Sequence, residues 1–463
     1  MDIPGHIFKG YDIRGLVPEE LNEANIYPLA QAILYFFQSR LKRKAIRLVA
    51  GHDMRTSAPS LYPLLNTALI DGGAHILDVG LVSTPTCYYA VLDLKADGGI
   101  QLTASHNPPA YNGIKMVMRD GETITKIGKS TGILHIRDFA LQGVTLSERG
   151  GRDEKVDGII EREIDYAFSH VDPSGFKPFT VVADPANAMA ITYLEPLFKR
   201  LPGKLIKMNF ELDGTFPAHQ PDPLVFENLA DLRARVLAEK ADLGLAPDGD
   251  GDRMFFIDEG GQIVTGAQST ALVAQELLRG HPGATILFDI RYTMTPQAVI
   301  EENGGTPVVT KVGHAYITEQ LNTHHGFYGG ESSEHNFFRW TGGAESQLIM
   351  VLLVMKIMSD SGKRLSALVN EIRRSFESGE HNFQTDRAGE ILKALKSRYG
   401  DGRLSELDGV AISYPNWRFN VRTSNTEPLM RLNLEAREKA LMEMKLDELR
   451  ALILAHGAQP HGD

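Results

Sequence analysis

The chain has 463 residues and a formal net charge of −11 at pH 7, with 43% hydrophobic and 23% charged residues. This length predicts about three or four domains, the composition is typical of a soluble globular protein, and the acidic balance argues against a nucleic-acid partner. The one cysteine, Cys87, excludes an internal disulfide, and the longest apolar run (348–355) is far shorter than the ~20 residues that span a bilayer, so the sequence predicts a cytoplasmic protein without a membrane partner.

Three apolar runs each close on an aspartate and precede a stretch of helical length: IRLVAGHD (46–53), FTVVADPANA (179–188) and TILFDIRYT (285–293). A second apolar run follows the first and the third of these, in both cases after a Gly-Gly pair (72–73 and 304–305). Such alternation is typical of α/β structure, so we interpret the three segments as copies of one α/β unit. Ligands of these sheets usually bind beyond the carboxyl ends of the strands.

The pattern changes from about residue 365, where a helix and a strand are followed by the alternating segments NVRTS and LMRLNLEA. These segments predict an α+β module, which ends in an amphipathic helix over 438–455. The sequence therefore predicts four domains, with the limits 1–148, 149–256, 257–366 and 367–463.

The segment TASHNPPAYNGIK (103–115) has neither helical nor strand periodicity and places Ser105 beside His106. A serine hydrolase is one interpretation, but the Gly-x-Ser-x-Gly elbow is absent. In an extended segment, the histidine would also face away from the serine. Two neighbouring loops, GHDMRTSAP and LVSTPT, add Asp53, Arg55 and small hydroxyl groups.

The segment LAPDGDGDRMFFIDE (245–259) alternates Asp248, Asp250 and Asp252 with glycines. Three carboxylates this close repel one another unless a cation lies between them, and Mg²⁺ pairs with a few carboxylates and phosphate oxygens. A calcium loop is one alternative, but Arg253 stands where that loop needs glycine, and the following Phe-Phe predicts a strand. A solvated acidic turn is the other alternative.

Four further segments carry polar groups. RTSNTEP (422–428) combines a guanidinium, hydroxyls and an amide, which can hold a phosphate dianion, although an ordinary Asx or ST turn has the same composition. GGESSEHNF (329–337) offers groups that suit sugar hydroxyls. His314 in KVGHAYI and Arg14 in FKGYDIRG also have purely structural readings. A serine, a metal triad and a phosphate loop together favour phosphoryl chemistry over hydrolysis.

The segments TASHNPPAYNGIK, DGDGDR, GGESSEH and RTSNTEP, in this order, resemble the four signature loops of the α-D-phosphohexomutase family. FKGYDIRG and KVGHA are similar to its supporting motifs, and the resemblance runs from about Phe8 to Arg437. It implies an α/β fold of three related α/β domains and a C-terminal α+β domain of the TATA-binding-protein-like type around a central cleft. The His after GGESSE, the Ser-Asn-Thr loop and the FKGYDIRG start are most similar to phosphomannomutase and bifunctional phosphomannomutase/phosphoglucomutase members.

The resemblance also implies a role for each loop. Ser105 is expected to be the phosphoserine, and one Mg²⁺ per chain to be bound by Ser105, Asp248, Asp250 and Asp252. Lys115 is expected to be the general acid/base, and would need a lowered pKa to act as a base near neutrality. The other expected catalytic residues are Arg14, Arg253 and His314, and the expected substrate contacts are Glu331, Ser333, His335, Arg422, Ser424, Asn425, Thr426 and Arg431.

The implied activity is interconversion of mannose 1-phosphate and mannose 6-phosphate through a phosphoserine enzyme. Hexose 1,6-bisphosphate serves as intermediate and activator, and action on glucose phosphates is left open. A phosphoglucomutase, a phosphoglucosamine mutase and a non-catalytic phosphosugar-binding protein are the alternatives. The expected partners are hexose phosphates, for a monomer or homodimer. Glu334 stands where the family usually has glycine or alanine, so it either alters sugar preference or points to solvent.

Overall fold

The structure, a computed structural model, describes residues 3–144, 146, 150–423 and 429–461. The chain divides into two compact units: unit 1 comprises Met1–Val264 and Ser333–Leu368, and unit 2 comprises Thr265–Ser332 and Val369–Asp463. The predicted limits of the four domains stay a prediction. Among the described residues, no helix is both long enough and apolar enough to cross a membrane.

Unit 1 begins with a seven-stranded mixed sheet. Its strands are β1 (Ile13–Leu16), β2 (Arg47–His52), β3 (His75–Leu81), β4 (Gly98–Leu102), β5 (Tyr111–Asp120), β6 (Thr123–Lys126) and β7 (Arg152–Lys155). The helices of this segment are α1 (Glu23–Leu41), α2 (Ala58–Asp71), α3 (Thr84–Asp93) and α4 (Ile133–Gln142). The strand order is β1-β5-β4-β2-β3-β7, with β6 paired to β5. The central strand β2 is parallel to both of its neighbours, whereas β5 runs antiparallel to β4.

The next segment of unit 1 forms a five-stranded sheet in the order β12-β11-β10-β8-β9. Its elements are α5 (Ile159–His170), β8 (Phe179–Ala183), α6 (Ile191–Arg200), β9 (Gly203–Lys207), α7 (Ala230–Glu239), β10 (Leu243–Pro247), β11 (Met254–Asp258) and β12 (Ile263–Val264). Again the first strand, β8, is parallel to the two strands beside it, and β11 is antiparallel to β10.

Unit 2 contains a third parallel set and an antiparallel sheet. The parallel set comprises α8 (Gly266–Gly280), β13 (Thr285–Asp289), α9 (Met294–Glu302), β14 (Thr306–Thr310), α10 (His314–Thr323) and β15 (Tyr328–Gly330). The chain then returns to unit 1 through β16 (Asn336–Phe338) and α11 (Gln347–Ser361), and α12 (Leu365–Ile372) spans the boundary between the two units. The antiparallel sheet, in the order β18-β19-β20-β21-β17-β22, is built from β17 (Phe376–Gln384), α13 (Ala388–Arg398), β18 (Arg403–Ser405), β19 (Val410–Ser413), β20 (Trp417–Thr423), β21 (Leu429–Ala436), α14 (Lys439–Ala455) and β22 (Gln459–Pro460).

The predicted internal repeat is confirmed by the strand pairing. In each copy the first strand (β2, β8 or β13) lies between the next two parallel strands of its own copy. The predicted C-terminal α+β module is confirmed as well. The chain is therefore an α/β protein with three related segments and one different C-terminal segment.

Both faces of β2 are covered, which explains its nearly continuous apolar sequence. Leu48 and Ala50 belong to the core that α1 and α2 share with the sheet, whereas Val49 belongs to a second core with Tyr88 of α3. Alternate side chains of a strand point to opposite faces, so one short run supplies two cores. The polar residues that follow such strands are left at their carboxyl ends.

Candidate functional site

Ser105 lies in the loop that joins β4 to β5, at the carboxyl end of β4. The residue is 2% exposed and has a φ of 52°, in the left-handed region. Its backbone N–H donates to Thr103 Oγ1 at 3.0 Å. Its side-chain Oγ donates to Asp248 Oδ2 at 3.0 Å, so the loop presents the hydroxyl to the aspartate loop of the second sheet.

His106 bears on the hydrolase alternative, because its Nδ1 lies 3.3 Å from Ser105 Oγ. The expectation that the two side chains face apart is wrong, since Ser105 is left-handed and not extended. Arg253 Nη2, however, donates to the same Nδ1 at 2.7 Å. Burial, together with the Arg253 charge, holds the pKa of His106 well below its usual range. A nitrogen that already accepts from a guanidinium is a poor base, so the geometry does not support a hydrolase.

The three aspartates lie in the loop between β10 and β11, and none of them is more than 1% exposed. One oxygen of each can be chosen so that all three lie within 4.8 Å of one another. Asp248 Oδ1 organises the turn by accepting from the backbone N–H of Asp252 at 3.1 Å and of Arg253 at 3.2 Å. A strand follows the loop, as predicted against the calcium alternative. Burial and the two neighbouring carboxylates raise the pKa of Asp248, which shows how strongly the cluster repels itself.

Lys115, on β5, contacts this cluster directly. Its Nζ donates to Asp250 Oδ2 at 2.6 Å and to Asp252 Oδ2 at 2.7 Å, and the residue is 3% exposed. Burial alone would lower the pKa of Lys115, but the Asp250 and Asp252 carboxylates outweigh it and raise the pKa. The shift is therefore opposite to the lowered pKa that a base near neutrality would need. Thr84, which the sequence analysis did not select, also donates to Asp250 Oδ2, at 2.6 Å.

The aspartate cluster fits a hard divalent cation by the chemistry of its donors. Among the described residues, Asp250 Oδ1 is buried without a hydrogen-bond partner, which leaves an oxygen ligand available. Ser105 Oγ lies next to the cluster through Asp248. A second group, Asp252, His335 and Glu345, is also compact enough for a metal ion, but it includes an imidazole, and Glu345 is already paired with Lys126 through Oε1. Carboxylate-only ligation suits Mg²⁺, so the three aspartates fit the predicted ion better.

The two predicted arginines of unit 1 surround the serine loop. Arg14, on β1, donates from Nη1 to Asn107 Oδ1 at 2.6 Å and pairs with Asp12. Arg253 Nε lies 3.5 Å from Asp248 Oδ2. The structure thus brings two guanidinium groups, a lysine and three carboxylates to the surroundings of Ser105.

The sugar-loop residues of unit 1 are connected to the same aspartates. His335 Nε2 lies 3.3 Å from Asp252 Oδ1, and Ser333 Oγ lies 3.1 Å from His335 Nδ1. Glu334 is 0% exposed, so the expectation that it could point to solvent is wrong. Its φ of 65° is left-handed, a conformation that glycine adopts freely.

Glu331 and His314 meet in unit 2. Glu331 follows β15, is 2% exposed and accepts from the backbone N–H of Gly313 at 2.7 Å. Gly313 precedes His314, the half-buried first residue of α10. The KVGHA and GGESSEH motifs are therefore joined by a hydrogen bond across the carboxyl ends of β14 and β15.

Arg291 and Asp289 also belong to this part of unit 2, although neither was selected from the sequence. Asp289 ends β13 and accepts from the N–H of Ser332 at 2.6 Å and from Arg291 Nη2 at 2.8 Å. Arg291 Nη2 lies 4.0 Å from Glu331 Oε1. The available signal was the aspartate that ends the apolar run TILFD, the same signal that marks Asp53 in the first copy.

Arg422 and Arg431 face each other across β20 and β21, as the strand register requires. Arg422 Nη2 donates to Glu380 Oε2 at 2.8 Å, and Arg431 Nη1 lies 3.5 Å from Glu380 Oε1. Burial would raise the pKa of Glu380, but Arg422, Arg291 and Arg431 together lower it. Arg422 and Arg431 therefore share one carboxylate, whereas Arg291 is paired with Asp289. The predicted contacts Ser424, Asn425 and Thr426 lie outside the described residues.

Four family models match most of the chain, and all are described as domains of phosphoglucomutase/phosphomannomutase. The α/β/α domains I, II and III match residues 5–131, 159–261 and 265–376, and the C-terminal domain matches residues 380–452.

Curated relatives match over nearly the same length. A protein of Xanthomonas campestris named "Phosphohexose mutases" is 38% identical over 456 residues, which cover 96% of this chain and 98% of the relative. An Escherichia coli protein named "Phosphomannomutase" is 36% identical over 460 residues, with the same coverage of 96% and 98%.

Solved structures show the same fold. A phosphoglucomutase/phosphomannomutase family protein of Burkholderia thailandensis has a TM-score of 0.89 at 30% identity and covers 99% of this chain and 100% of its own. An N-acetylphosphoglucosamine mutase of Aspergillus fumigatus, in complex with GlcNAc-6P and magnesium, has a TM-score of 0.61 at 14% identity, with coverage of 99% and 97%.

Proposed function

Because the chain belongs to the phosphoglucomutase/phosphomannomutase family, we propose that it is a phosphomannomutase that interconverts mannose 1-phosphate and mannose 6-phosphate. Membership makes it a phosphohexose mutase, an isomerase that moves a phosphoryl group between two positions of one sugar. The choice of mannose is supported by the Escherichia coli relative, which is named phosphomannomutase.

One observation carries the assignment: Ser105 Oγ donates to Asp248 Oδ2 at 3.0 Å, inside a cluster of buried carboxylates and a lysine. A serine in this position is placed beside the negative groups that a metal ion would neutralise. We assign Ser105 as the residue that carries the phosphoryl group. A protein that only binds phosphosugars has no need of a buried serine hydroxyl that donates to one carboxylate of this cluster, which argues against the non-catalytic alternative.

The proposed half-reaction transfers the phosphoryl group from phosphorylated Ser105 to a free hydroxyl of the hexose monophosphate. The bond between phosphorus and Ser105 Oγ breaks, and a bond between phosphorus and the sugar oxygen forms. We assign the proton transfer to Lys115, which gives a proton to Oγ and regains one from the sugar hydroxyl. Hexose 1,6-bisphosphate results, and the same steps in reverse at its other phosphate complete the isomerisation.

The positive groups near Ser105 hold the phosphoryl group during transfer. We assign this role to Arg14 and Arg253, which already surround the serine loop. Asp248, Asp250, Asp252 and Ser105 would hold Mg²⁺, which would neutralise charge on the transferring group. The magnesium in the solved structure of the Aspergillus fumigatus enzyme supports this choice of ion.

The remaining predicted residues are assigned to the substrate. Arg422 and Arg431, with Ser424, Asn425 and Thr426, bind the phosphate that is not reacting. Glu331, Ser333 and His335 bind sugar hydroxyls, and His314 is a second proton carrier or a sugar contact. The sharing of Glu380 by Arg422 and Arg431 supports the phosphate assignment, because an entering dianion would replace that carboxylate as the partner of the two guanidiniums.

The test is a mutase assay of the full chain with Mg²⁺ and a trace of glucose 1,6-bisphosphate. Mannose 1-phosphate, glucose 1-phosphate and glucosamine 1-phosphate are compared as substrates. Ser105→Ala should abolish turnover, whereas Ser60→Ala, at an exposed serine of α2, should not change it. Preferential conversion of glucosamine 1-phosphate would contradict the proposal, and so would turnover by Ser105→Ala.

A broader mutase is the second candidate, favoured by the Xanthomonas campestris relative, whose name does not specify one hexose. In the same assay it predicts comparable kcat/KM for mannose 1-phosphate and glucose 1-phosphate. If kcat/KM for mannose 1-phosphate is far above kcat/KM for glucose 1-phosphate, the broader mutase is excluded in favour of the phosphomannomutase.

A further inference from the structure

Arg55 is a buried arginine between β2 and α2 that the proposed reaction does not use. It is 0% exposed, and its guanidinium donates to three main-chain carbonyl oxygens of the serine loop and to that of the first residue of β5. Nη1 donates to Pro108 O and Tyr111 O, both at 2.8 Å. Nη2 donates to Ser105 O at 2.8 Å and to Asn107 O at 2.6 Å. One side chain therefore binds four main-chain carbonyls between residues 105 and 111, including the carbonyl of Ser105 itself.

Residues 103–110 of the serine loop lie outside the strands, so the Ser105 and Asn107 carbonyls are not part of a strand ladder. Pro108 and Pro109 lack an N–H, and Ser105 is buried, where a carbonyl group without a partner would be costly. A guanidinium offers five N–H donors in a rigid plane, and its charged hydrogen bonds are roughly twice as strong as neutral ones. The left-handed backbone of Ser105 is thus fixed from outside the loop by Arg55.

Arg55 is itself held in place on several sides. Its N–H donates to Asp53 Oδ1 at 3.0 Å, and its Nε lies 3.3 Å from Asp53 Oδ2. The guanidinium carbon Cζ lies over the ring of Phe216, 5.3 Å from the ring centroid. A Cβ on Gly214 would lie 2.6 Å from Met54 O and 2.7 Å from Arg55 Cα, so the backbone packs directly against this segment. The guanidinium therefore cannot shift without moving its surroundings.

We propose that Arg55 is a positioning residue for phosphoryl transfer, which acts by holding the carbonyl oxygens of the serine loop so that Ser105 Oγ faces Asp248. The proposal rests on the proposed function, because the position of Oγ matters only if Ser105 carries the phosphoryl group. A purely structural role would lower stability without a specific loss of transfer. The two roles can be separated experimentally.

Arg119 provides the matched control, since it makes the same kind of contact elsewhere in the same sheet. Its guanidinium donates to Ala96 O at 2.6 Å, Gly121 O at 2.9 Å and Lys95 O at 3.2 Å. None of these carbonyls belongs to the serine loop. Arg119→Met therefore removes carbonyl contacts of an arginine without touching Ser105.

The experiment compares Arg55→Met, Arg55→Lys and Arg119→Met with the natural chain, all at full length with Mg²⁺. It measures the thermal midpoint, the rate at which glucose 1,6-bisphosphate phosphorylates Ser105, and kcat and KM for the mutase reaction. Displacing a reacting atom by about 1 Å can cost about 100-fold, so we expect Arg55→Met to lower the phosphorylation rate and kcat by about that factor with KM nearly unchanged. Arg55→Lys keeps the charge but reaches fewer carbonyls, so its phosphorylation rate and kcat should lie between those of Arg55→Met and the natural chain.

Arg119→Met should keep kcat within about threefold of the natural chain, whatever its thermal midpoint. Equal losses of kcat in Arg55→Met and Arg119→Met would overturn the proposal, and so would unchanged phosphorylation in Arg55→Met. If Arg55→Met does not fold, Arg55→Lys decides by the same comparison. If the natural chain is not phosphorylated at Ser105, the proposed function itself is wrong. Failure of the proposed function is thus distinguishable from failure of the proposal for Arg55.

Discussion

Ser105 and Glu334 share an unusual backbone, since both have a positive φ (52° and 65°). This conformation costs a residue with a Cβ roughly 1–2 kcal/mol, so the surroundings must enforce it. Thr103 and Arg55 do so for Ser105. Met254 N–H donates to the carbonyl of Glu334 at 3.3 Å. A glycine would adopt this backbone freely, so Glu334 keeps the conformation at a cost and adds a buried carboxylate.

Glu163 gives a prediction about pH. It lies on α5, is 5% exposed, and its Oε2 accepts from Thr86 Oγ1 at 2.6 Å. Burial raises the pKa of Glu163 from 4.5 to about 7. Between these values the folded state binds more protons than the unfolded state, so its stability falls as pH rises. Above pH 7, where Glu163 is ionised in both states, its burial lowers the free energy of unfolding by about 3 kcal/mol.

Glu163→Gln removes this ionisation. Its free energy of unfolding, relative to that of the natural chain, should therefore increase by about 3 kcal/mol as pH rises from 4.5 to 8. Urea denaturation at the two pH values measures this. Glu161→Gln, at an exposed glutamate of the same helix, is the control and should follow the natural chain. An identical pH dependence in Glu163→Gln and the natural chain would show that this carboxyl carries no penalty.

At the scale of elements, the site is made by loops that leave neighbouring sheets at the carboxyl ends of parallel strands. The serine loop and the aspartate loop touch at Gly249, where an added Cβ would lie 2.3 Å from Ser105 O. Gly249 is therefore required for the close approach of the two loops and not for an unusual φ.

Gly249→Ala should separate the two loops, because the Cβ would meet backbone that cannot move cheaply. We expect kcat to fall by about 100-fold while the chain still folds, as judged by its thermal midpoint. Gly280→Ala, at an exposed helix end with no atom within 4 Å of the added Cβ, is the control. A Gly249→Ala enzyme with normal kcat would mean that the loops do not need this contact.

At the scale of the whole molecule, the repeat explains how much could be read from the sequence. The aspartates at 53, 184 and 289 follow or end the first strand of each copy, so an apolar run with a terminal aspartate was sufficient to locate these strands. The metal loop and the serine loop were found because their residues are neighbours in sequence. The hydrogen bond between the two loops, from Ser105 to Asp248, joins residues 143 positions apart, so no local sequence pattern predicts it.

Other contacts that the sequence did not predict also join residues that are far apart in the chain. Arg55 binds carbonyls 50 to 56 positions away, and Glu380 meets Arg422 42 positions away. In unit 2, buried Arg418 donates to Arg291 O at 2.9 Å and to Glu435 at 3.1 Å, which ties the C-terminal sheet to the third copy. Backbone acceptors leave no mark in a sequence, so contacts of this kind appear only in the fold.

The central claim is that Ser105 carries the phosphoryl group, and the most direct measurement is peptide mass spectrometry of the full chain after incubation with glucose 1,6-bisphosphate and Mg²⁺. The account predicts a phosphoryl group on the peptide that contains Ser105, lost again when excess mannose 1-phosphate is added. Ser105→Ala should show neither phosphorylation nor turnover. Turnover with no phosphate at Ser105, or with phosphate on another residue only, would contradict the account.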